Sequence, residues 1–331
     1  MSHDLVVLRR EGLYCPRGGF YIDPWKPVER AVITHGHGDH ARIGSARYFA
    51  AMRSLPILHW RLGEQQYQVH EYGEVFGIGD ARVSFHSAGH VLGSAQVRIE
   101  VDGQVWVASG DYKRQHDPTC DPFEVVECDT FITEATFGLP VYRWPDTADV
   151  AREIVEWRDH CADRGEAAVL FCYALGKAQR LLAEVAAWTD RPAYVHGAIA
   201  TGVQVYRGAG VPMLATLPVA ETAKGAEFAG ELVLAPPSAA GSTWMRRFRR
   251  AQTGFASGWM RVRGNRRRRN YDRGFVISDH ADWPDLMRTI RETGARRVIA
   301  THGNTDAIIR ALREGGIAAE AFATDFGGEG E

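Results

Sequence analysis

Residues 31–40 read Ala-Val-Ile-Thr-His-Gly-His-Gly-Asp-His, so an apolar, β-branched run leads directly into four potential metal ligands. Such a run predicts a short buried strand, and the ligands then lie on the turn that leaves it. His35 and His37 are separated by one small glycine and can bend toward a single cation. Asp39 and His40 follow where we expect a helix to begin, and they can face a second cation. Neutral imidazole with carboxylate suits zinc, iron or manganese better than calcium or magnesium, so the stretch predicts a metal site, and we expect two ions.

Three more polar residues follow strand-like runs in about the first third of the chain. Asp23 precedes a proline, His90 lies in an Ala-Gly-His-Val segment, and Asp111 follows Ser-Gly. Together with Thr-His-x-His-x-Asp-His at 34–40, these motifs resemble, in order, those of the metallo-β-lactamase family. The hydrolases of that family hold one or two metals between two β-sheets.

The resemblance implies a role for each of these residues. His35, His37 and His90 would bind one metal, Asp39 and His40 the other, and Asp111 would bridge the two. Two cations about 3.5–4 Å apart share a hydroxide and stabilise the attacking and leaving oxygens. Asp23 would accept a hydrogen bond from a ligand imidazole, although by itself it is also an ordinary turn residue. We expect two divalent ions, zinc first and manganese as the alternative.

Composition and charge restrict the protein's class. With 45% hydrophobic and 24% charged residues and a net charge of −2, the 331-residue chain is typical of a soluble globular protein with room for two domains. The five scattered cysteines favour free thiols in a reducing compartment over a disulfide framework. No signal peptide or spanning segment is evident, so we expect a cytoplasmic protein without a membrane partner.

The second half of the chain has a different pattern of predicted helices and strands. Helical spacing begins near residue 147, and an alternation of strand, glycine and helix continues to about residue 260. Strand-like runs then lead to His280 and His302. This return resembles the β-CASP group, in which a cap domain interrupts the metallo-β-lactamase core. We therefore expect an α/β fold: an αββα sandwich made of residues 1–140 and 273–331, with an inserted α/β cap at 141–272.

Three motifs carry the β-CASP resemblance: Thr-Glu-Ala-Thr around Glu134, Ser-Asp-His-Ala-Asp around His280, and Thr-His-Gly around His302. The resemblance implies that His302 binds the second metal and that the catalytic residues are Asp39, Glu134 and His280. His280 would donate a hydrogen bond to a phosphate oxygen or leaving group, with Glu134 orienting its ring. The competing interpretation is that His280 has no catalytic role and only lies next to the N-cap of a helix. It rests on the Ser-Asp pair before His280 and the Trp-Pro pair after it, which are typical of a helix start. A further stretch, Tyr-Ala-Leu-Gly-Lys-Ala-Gln at 173–179, resembles part of the cap of RNA-processing relatives.

An arginine cluster gives independent support for a nucleic-acid substrate. Residues 246–273 contain eleven arginines and one acid, so this segment carries +10 and the rest of the chain −12. Such a cluster on an otherwise acidic protein is typical of phosphate binding, and arginine makes the better bidentate contacts. The alternative is a solvated loop. We expect phosphate contacts from Arg261, Arg263, Arg266, Arg267, Arg268 and Arg269.

The motifs favour a metal-dependent nuclease over two other classes of protein. A hydrolase of small thioesters would leave the cap, Glu134 and the arginines unexplained. A catalytically inactive nucleic-acid scaffold would have lost metal ligands, and none of the matched positions is substituted. The overall pattern resembles bacterial ligase-associated DNA exonucleases, which implies DNA-end trimming in repair with an ATP-dependent DNA ligase and a helicase as partners. His302 instead resembles the ribonucleases that process RNA or mRNA 3′ ends, so RNA is the alternative substrate.

Overall fold

The computed structural model describes residues 4–262 and 271–324. The chain divides into two compact units, one formed by the described parts of Met1–Pro140 and His280–Gly330 and one by Val141–Asp279. None of the described helices is long and apolar enough to cross a membrane. The described residues contain six α-helices: α1 (Leu55–Leu62), α2 (Thr147–Asp163), α3 (Lys177–Val185), α4 (Gly197–Gly208), α5 (Trp283–Glu292) and α6 (Thr305–Glu314).

The first sheet of the first unit follows the order of the sequence. Strands β1 to β3 are antiparallel, and β3 to β6 are parallel. The strands are β1 (Val7–Arg9), β2 (Gly12–Cys15), β3 (Phe20–Ile22), β4 (Arg30–Ile33), β5 (Arg47–Ala51) and β6 (Tyr67–His70). The predicted strand before the His-rich stretch is therefore β4, at the centre of the parallel part.

The second sheet of this unit has seven strands in the order β19-β18-β11-β10-β9-β8-β7. Strands β7 to β10 form an antiparallel meander, whereas β10, β11, β18 and β19 run parallel. The strands are β7 (Val75–Ile78), β8 (Ala81–Ser87), β9 (Ala95–Val101), β10 (Gln104–Ala108), β11 (Thr130–Ala135), β18 (Arg297–Gly303) and β19 (Ala318–Ala321).

The two sheets of the first unit pack face to face, with helices on their outer faces. Alternate residues of a strand point to opposite faces, so Val32 of β4 packs between the sheets with Phe85 of β8. Ile33 points the other way and packs against Leu58 of α1. The outer face of the second sheet is covered by α5 and α6, through residues such as Leu286. Fully burying a side chain of this size contributes roughly 1.5–3 kcal/mol, which makes the layering energetically decisive. The αββα sandwich predicted from the sequence is confirmed.

The inserted unit is built on a parallel sheet in the order β14-β13-β15-β12-β16-β17. Leu170 of β12 packs against helices α2 and α3, and its neighbours Val169 and Phe171 pack on the opposite face, with Phe228 and Phe255. The strands are β12 (Ala167–Phe171), β13 (Ala193–Val195), β14 (Thr216–Pro218), β15 (Leu232–Ala235), β16 (Ala251–Ala256) and β17 (Arg273–Phe275).

Some local predictions differ from the structure. No helix begins at Asp39, because residues 38–40 form a turn. Residues 273–279, which we expect from the sequence to belong to the core, group with the inserted unit, since β17 pairs with β16 of its sheet. The identification of residues 141–272 as the cap stays a prediction.

Candidate metal centre

The His-rich stretch is a tight turn that leaves β4. The amides of His40 and Ala41 both donate to the carbonyl oxygen of His37, at 3.2 and 2.8 Å. This closure gathers the rings: the centroid of His35 lies 4.9 Å from that of His37 and 4.1 Å from that of His40. His35 and His40 are buried, and His37 is half-buried. A single turn thus presents three imidazoles together.

His90 lies on the turn between β8 and β9. The hydroxyl oxygen of Ser94 accepts hydrogen bonds from the amides of His90 and Val91, at 3.0 and 3.2 Å, and so closes this turn. Gly93 has a φ of +74°, and a Cβ built on it would lie 2.2 Å from the backbone nitrogen of Ser54. The turn therefore requires glycine at this position, both for its conformation and for the close approach of the two backbones.

Three other predicted residues meet because their strands are parallel neighbours. Strands β10, β11 and β18 lie side by side and run in the same direction, so their carboxyl ends share one edge of the sheet. Asp111 follows β10, Glu134 lies near the end of β11, and His302 near the end of β18. All three side chains are buried. Residues far apart in the sequence are thereby brought to one place.

Four predicted ligands form a first donor set, and their ligand atoms all lie within 4.8 Å of one another. Nδ1 of His37 lies 3.1 Å from Nε2 of His35 and 3.1 Å from Nε2 of His90. Oδ2 of Asp111 lies 3.5 Å from Nε2 of His35 and 3.9 Å from Nε2 of His90. The set therefore contains three imidazole nitrogens and one carboxylate oxygen.

A second donor set shares the carboxylate of Asp111. Nε2 of His40 lies 3.4 Å from Oδ2 of Asp111, and Nε2 of His302 lies 2.9 Å from Oδ1 of the same carboxylate. Asp39 lies at the rim of this set: its Oδ2 is 3.7 Å from Nε2 of His40, and 29% of its side chain is exposed. Asp39 belongs to none of the described groups of donors that come within 4.8 Å of one another. Its role as a ligand stays a prediction.

The spacing of the first donor set fits a metal ion. Four ligands at about 2.0–2.1 Å from one tetrahedral ion lie about 3.4 Å from each other. The separations measured in the first set run from 3.1 to 3.9 Å. Imidazole nitrogens with a carboxylate oxygen are the ligands of a borderline divalent cation such as zinc or manganese. The residues present therefore fit the two-ion site expected from the sequence, with Asp111 as the shared ligand.

Two threonines that the sequence motifs did not single out lie against rings of the predicted ligands. Oγ1 of Thr34 lies 3.0 Å from Nδ1 of His35, and Oγ1 of Thr301 lies 3.2 Å from Nδ1 of His302. In both cases Nδ1 is engaged by the threonine, and Nε2 is directed toward Asp111. Such partners fix the orientation of a ligand imidazole. The sequence contains a signal for both residues, because a threonine directly precedes the histidine in the motif at 34–40 and in the motif at 301–303.

Asp23 holds the ring of His40 from behind. Its Oδ2 lies 2.7 Å from Nδ1 of His40, and its Oδ1 accepts the amide of Thr34 at 2.8 Å. Asp23 is 1% exposed and has a φ of +43°, a left-handed conformation that is uncommon for a residue other than glycine. Asp23 also belongs, with His35 and His40, to a group of donors within 4.8 Å of one another. The supporting role expected from the sequence, in which Asp23 fixes the His40 ring, stays a prediction.

The charges of the site shift the pKa values of three buried residues. Burial lowers the pKa of His35 well below its usual value, and the positive charge of His40 lowers it further. For His40, burial acts in the same direction but is outweighed by the carboxylates of Asp111 and Asp23, which hold its pKa well above the usual value. Burial raises the pKa of Asp111, yet the positive charges of His40 and His302 hold it well below its ordinary range. His35 is therefore neutral near pH 7 and Asp111 ionised, the forms that bind metals, whereas His40 has to release its proton when a metal binds.

Replacement of Asp23 by Asn is expected to lower metal affinity or activity by about 10–100-fold, the usual effect of losing a carboxylate behind a ligand imidazole. The measurement is a competition for zinc between the protein and a chromophoric chelator. Asp102→Asn is the matched control, since Asp102 also has a positive φ, +49°, but its side chain is 77% exposed. Equal zinc affinity in wild type and Asp23→Asn would refute this role.

Glu134 and His280 form a pair beside the donor sets. Nδ1 of His280 lies 2.8 Å from Oε2 of Glu134, and Oε1 of that carboxylate accepts the amide of Tyr112 at 2.7 Å. The His280 ring lies 4.7 Å from the ring of His90, and ligand atoms of Asp111, Glu134 and His280 lie within 4.8 Å of one another. Glu134 thus orients the ring. The N-cap of α5 is Asp282, so His280 precedes the cap by two residues.

Of the predicted nucleic-acid contacts, Arg261 is exposed at the end of a short 3₁₀ segment, Gly258–Arg261. The remaining five, Arg263, Arg266, Arg267, Arg268 and Arg269, lie outside the described residues. Arg246, Arg249 and Arg250 are exposed on the same stretch of chain.

Comparison with known proteins agrees with this geometry. No family model matches the chain. It is 32% identical over 319 residues to a probable DNA ligase of Opitutus terrae, covering 95% of this chain and 31% of the relative. It is 24% identical over 213 residues to an RNase J-like protein of Methanocaldococcus jannaschii, covering 55% of this chain and 50% of the relative. The chain thus spans a third to a half of the length of these curated relatives.

A solved structure shares the fold. The crystal structure of a protein of unknown function from Enterococcus faecalis V583 superimposes with a TM-score of 0.58 at 13% identity, covering 90% of this chain and 80% of the other. The ordered histidine and aspartate motifs, the αββα sandwich and these similarities agree with one another. The motifs, the sandwich and these relatives fit the metallo-β-lactamase/β-CASP nuclease family.

Proposed function

We propose that this protein is a metal-dependent DNA exonuclease that hydrolyses phosphodiester bonds and trims DNA ends during repair. The observation that carries the proposal is the pair of donor sets joined by Asp111, with His280 and Glu134 beside them. Zinc is the ion we expect, with manganese as the alternative. When bound, two such ions supply a hydroxide near neutral pH and neutralise charge on the phosphate.

The protein's own residues have distinct tasks in this reaction. The carboxylate of Asp111 lies within reach of both donor sets and so fixes their spacing. Glu134 accepts from Nδ1–H of His280, which leaves Nε2 of His280 to donate a proton to the leaving oxygen. Asp39, at the rim, would complete the second set. General acid catalysis of this kind contributes typically about 10²–10⁴-fold to the rate.

DNA is the preferred substrate because the similarity to the probable DNA ligase extends over 95% of this chain, against 55% for the RNase J-like protein. A relative in which this unit belongs to a longer ligase chain also supports a DNA ligase as partner, with a helicase implied by the family resemblance. The alternative is a ribonuclease that processes RNA or mRNA 3′ ends. His302, with Nε2 2.9 Å from Asp111, favours that alternative.

The deciding experiment is a time course with matched single-stranded DNA and RNA oligonucleotides, labelled at either end, with zinc or manganese added. Stepwise shortening of DNA alone is the expected result, and the label released first gives the polarity. Cleavage of RNA alone would move the protein to the RNA-processing branch. Wild-type protein that binds metal and cleaves neither would refute the nuclease proposal.

Replacement of Arg266–Arg269 by glutamine is expected to weaken DNA binding with little effect on the rate at saturation. Each phosphate contact contributes about 0.7 to the slope of log affinity against log salt for single strands, so four lost contacts lower the slope by up to about 3. Fluorescence anisotropy at several salt concentrations measures it. Replacing Arg152, Arg288, Arg291 and Arg310, exposed arginines on helices α2, α5 and α6, is the matched control. An unchanged slope in the Arg266–Arg269 variant would contradict the phosphate-binding role.

A further inference from the structure

Two fully buried cations lie on the first turn of α3. Lys177 and Arg180 are both 0% exposed, and at a spacing of three residues they share one face of the helix. Burying a charge is costly unless it is paired and hydrogen-bonded. Neither residue takes part in the proposed reaction. The groups that pair with the two buried charges therefore indicate what Lys177 and Arg180 do.

Both cations bind one short segment, 277–279, at the end of the inserted unit. Nζ of Lys177 lies 3.4 Å from the carbonyl oxygen of Ile277 and 3.4 Å from Oδ2 of Asp279. Nη1 of Arg180 donates to the carbonyl oxygen of Ser278 at 2.7 Å and lies 3.6 Å from Oδ1 of Asp279. Three consecutive residues are thus held through two backbone carbonyls and a carboxylate. The segment is restrained at every residue.

The sequence around the start of α3 explains how the side chains of Lys177 and Arg180 are oriented. Gly176 has a φ of +86°, and its amide donates to Oε1 of Gln179 at 2.8 Å. Nε2 of Gln179 donates to the carbonyl oxygen of Ala174 at 2.9 Å, so the first turn is closed on both sides. Nη2 of Arg180 also donates to Oγ1 of Thr147, at 2.6 Å. The stretch at 173–179 that resembles part of the cap of RNA-processing relatives is therefore a rigid base for these two side chains.

A buried ionic network is weak evidence for stability, because apolar residues of similar volume often stabilise a core as well or better. What the network provides is one defined geometry for the groups it binds. Here it binds Ile277, Ser278 and Asp279, and the peptide bond after Asp279 leads directly to His280. The restraint therefore ends one residue before the ring that pairs with Glu134.

We propose that Lys177 and Arg180 are positioning residues for His280, which act by fixing the backbone of residues 277–279. This inference rests on the proposed function, in which His280 protonates the leaving oxygen. A general acid that is misplaced by about 1 Å can lose roughly 10²-fold in rate. The loss appears only where the leaving group needs a proton.

The test compares two substrates in the metal-loaded protein. A DNA oligonucleotide has a strongly basic leaving oxygen, whereas bis(p-nitrophenyl) phosphate releases a weakly basic phenolate that needs no proton. Lys177→Met is expected to lower kcat on DNA by about 10²-fold and to change kcat on the phenyl ester by less than about 3-fold. His280→Asn is the benchmark and is expected to show the same selectivity.

Lys177→Met leaves the charge of Asp279 buried without its lysine partner, and such a charge can unfold the chain. The double variant Lys177→Met/Asp279→Asn and the single variant Arg180→Lys are therefore measured beside Lys177→Met. Circular dichroism reports whether each variant is folded. Arg158→Met is the matched control: Arg158 is a buried arginine of the same unit that contacts Asp159 and Thr189. It is expected to leave both activities unchanged.

Equal losses on both substrates, or no loss, would overturn the inference. The same holds if all the network variants unfold, since the network would then be structural. Wild-type protein that cleaves neither substrate would instead refute the nuclease proposal itself.

Discussion

Replacement of Asp111 by Asn is expected to abolish hydrolysis and to remove both metal ions while the protein stays folded. Asp111 is the one residue that belongs to both donor sets, with imidazole nitrogens between 2.9 and 3.9 Å from its oxygens. An amide supplies no charge to offset two cations. Since metal ions stabilise the transition state by several kcal/mol, the rate is expected to fall by at least about 10³-fold. Metal content by mass spectrometry and cleavage of labelled DNA measure the two effects.

His37→Ala is the informative comparison, because His37 belongs to the first donor set alone. It is also expected to abolish hydrolysis, but with one ion retained at the second set. Full activity of purified His37→Ala, or unchanged metal content in Asp111→Asn, would contradict the two-ion assignment. Circular dichroism of each variant separates loss of metal from loss of fold.

Gly93→Ala is expected to be strongly destabilising and to disturb the turn that carries His90. A Cβ at this position would lie 2.2 Å from the nitrogen of Ser54 and 2.3 Å from the carbonyl carbon of Arg53, and backbone atoms cannot move aside as a side chain can. Overpacking costs about 1–3 kcal/mol and a left-handed conformation about 1–2 kcal/mol, so the free energy of unfolding should fall by about 2–5 kcal/mol. Urea unfolding measures the change.

Gly73→Ala isolates the conformational part of this effect. Gly73 has a φ of +78°, close to the +74° of Gly93, but a Cβ there meets nothing within 4 Å. Its replacement is expected to cost only about 1–2 kcal/mol and to leave metal binding intact. If the two alanine variants were equally stable, the close approach between the His90 turn and residues 53–54 would not be a real constraint.

Much of the fold was predictable because its signals are local. The apolar run before His35 is set by neighbouring residues, and it was predicted as a strand. Helical spacing from near residue 147 was likewise predicted, and the structure shows a helix that begins at Thr147, with Asp146 as its N-cap. The helix expected after His40 was wrong, because the amides of His40 and Ala41 both bond to His37 and close a turn.

The candidate site was predictable as a set of residues but not as an arrangement. The sequence named His302 as a ligand by resemblance, yet only the parallel pairing of β10, β11 and β18 brings it to Asp111. The Thr-His-x-His-x-Asp-His motif named Asp39 as a ligand, and the structure places Asp39 at the rim of the second donor set. Thr34 and Thr301 were not singled out, although a Thr-His pair occurs in both motifs, and the structure places each threonine hydroxyl beside Nδ1 of the histidine that follows it.

By itself the sequence determined the chemistry available to this protein: the histidines and aspartates, the glycines its turns require and the arginine cluster. These are choices of side chain and local backbone, and each can be inferred from a few neighbouring residues. Only the tertiary structure shows that Asp111 lies within reach of both donor sets, that the Asp23 carboxylate lies against the His40 ring, and that Lys177 and Arg180 are buried against residues 277–279. Distances between residues far apart in the chain depend on sheet order and packing, which local sequence does not encode.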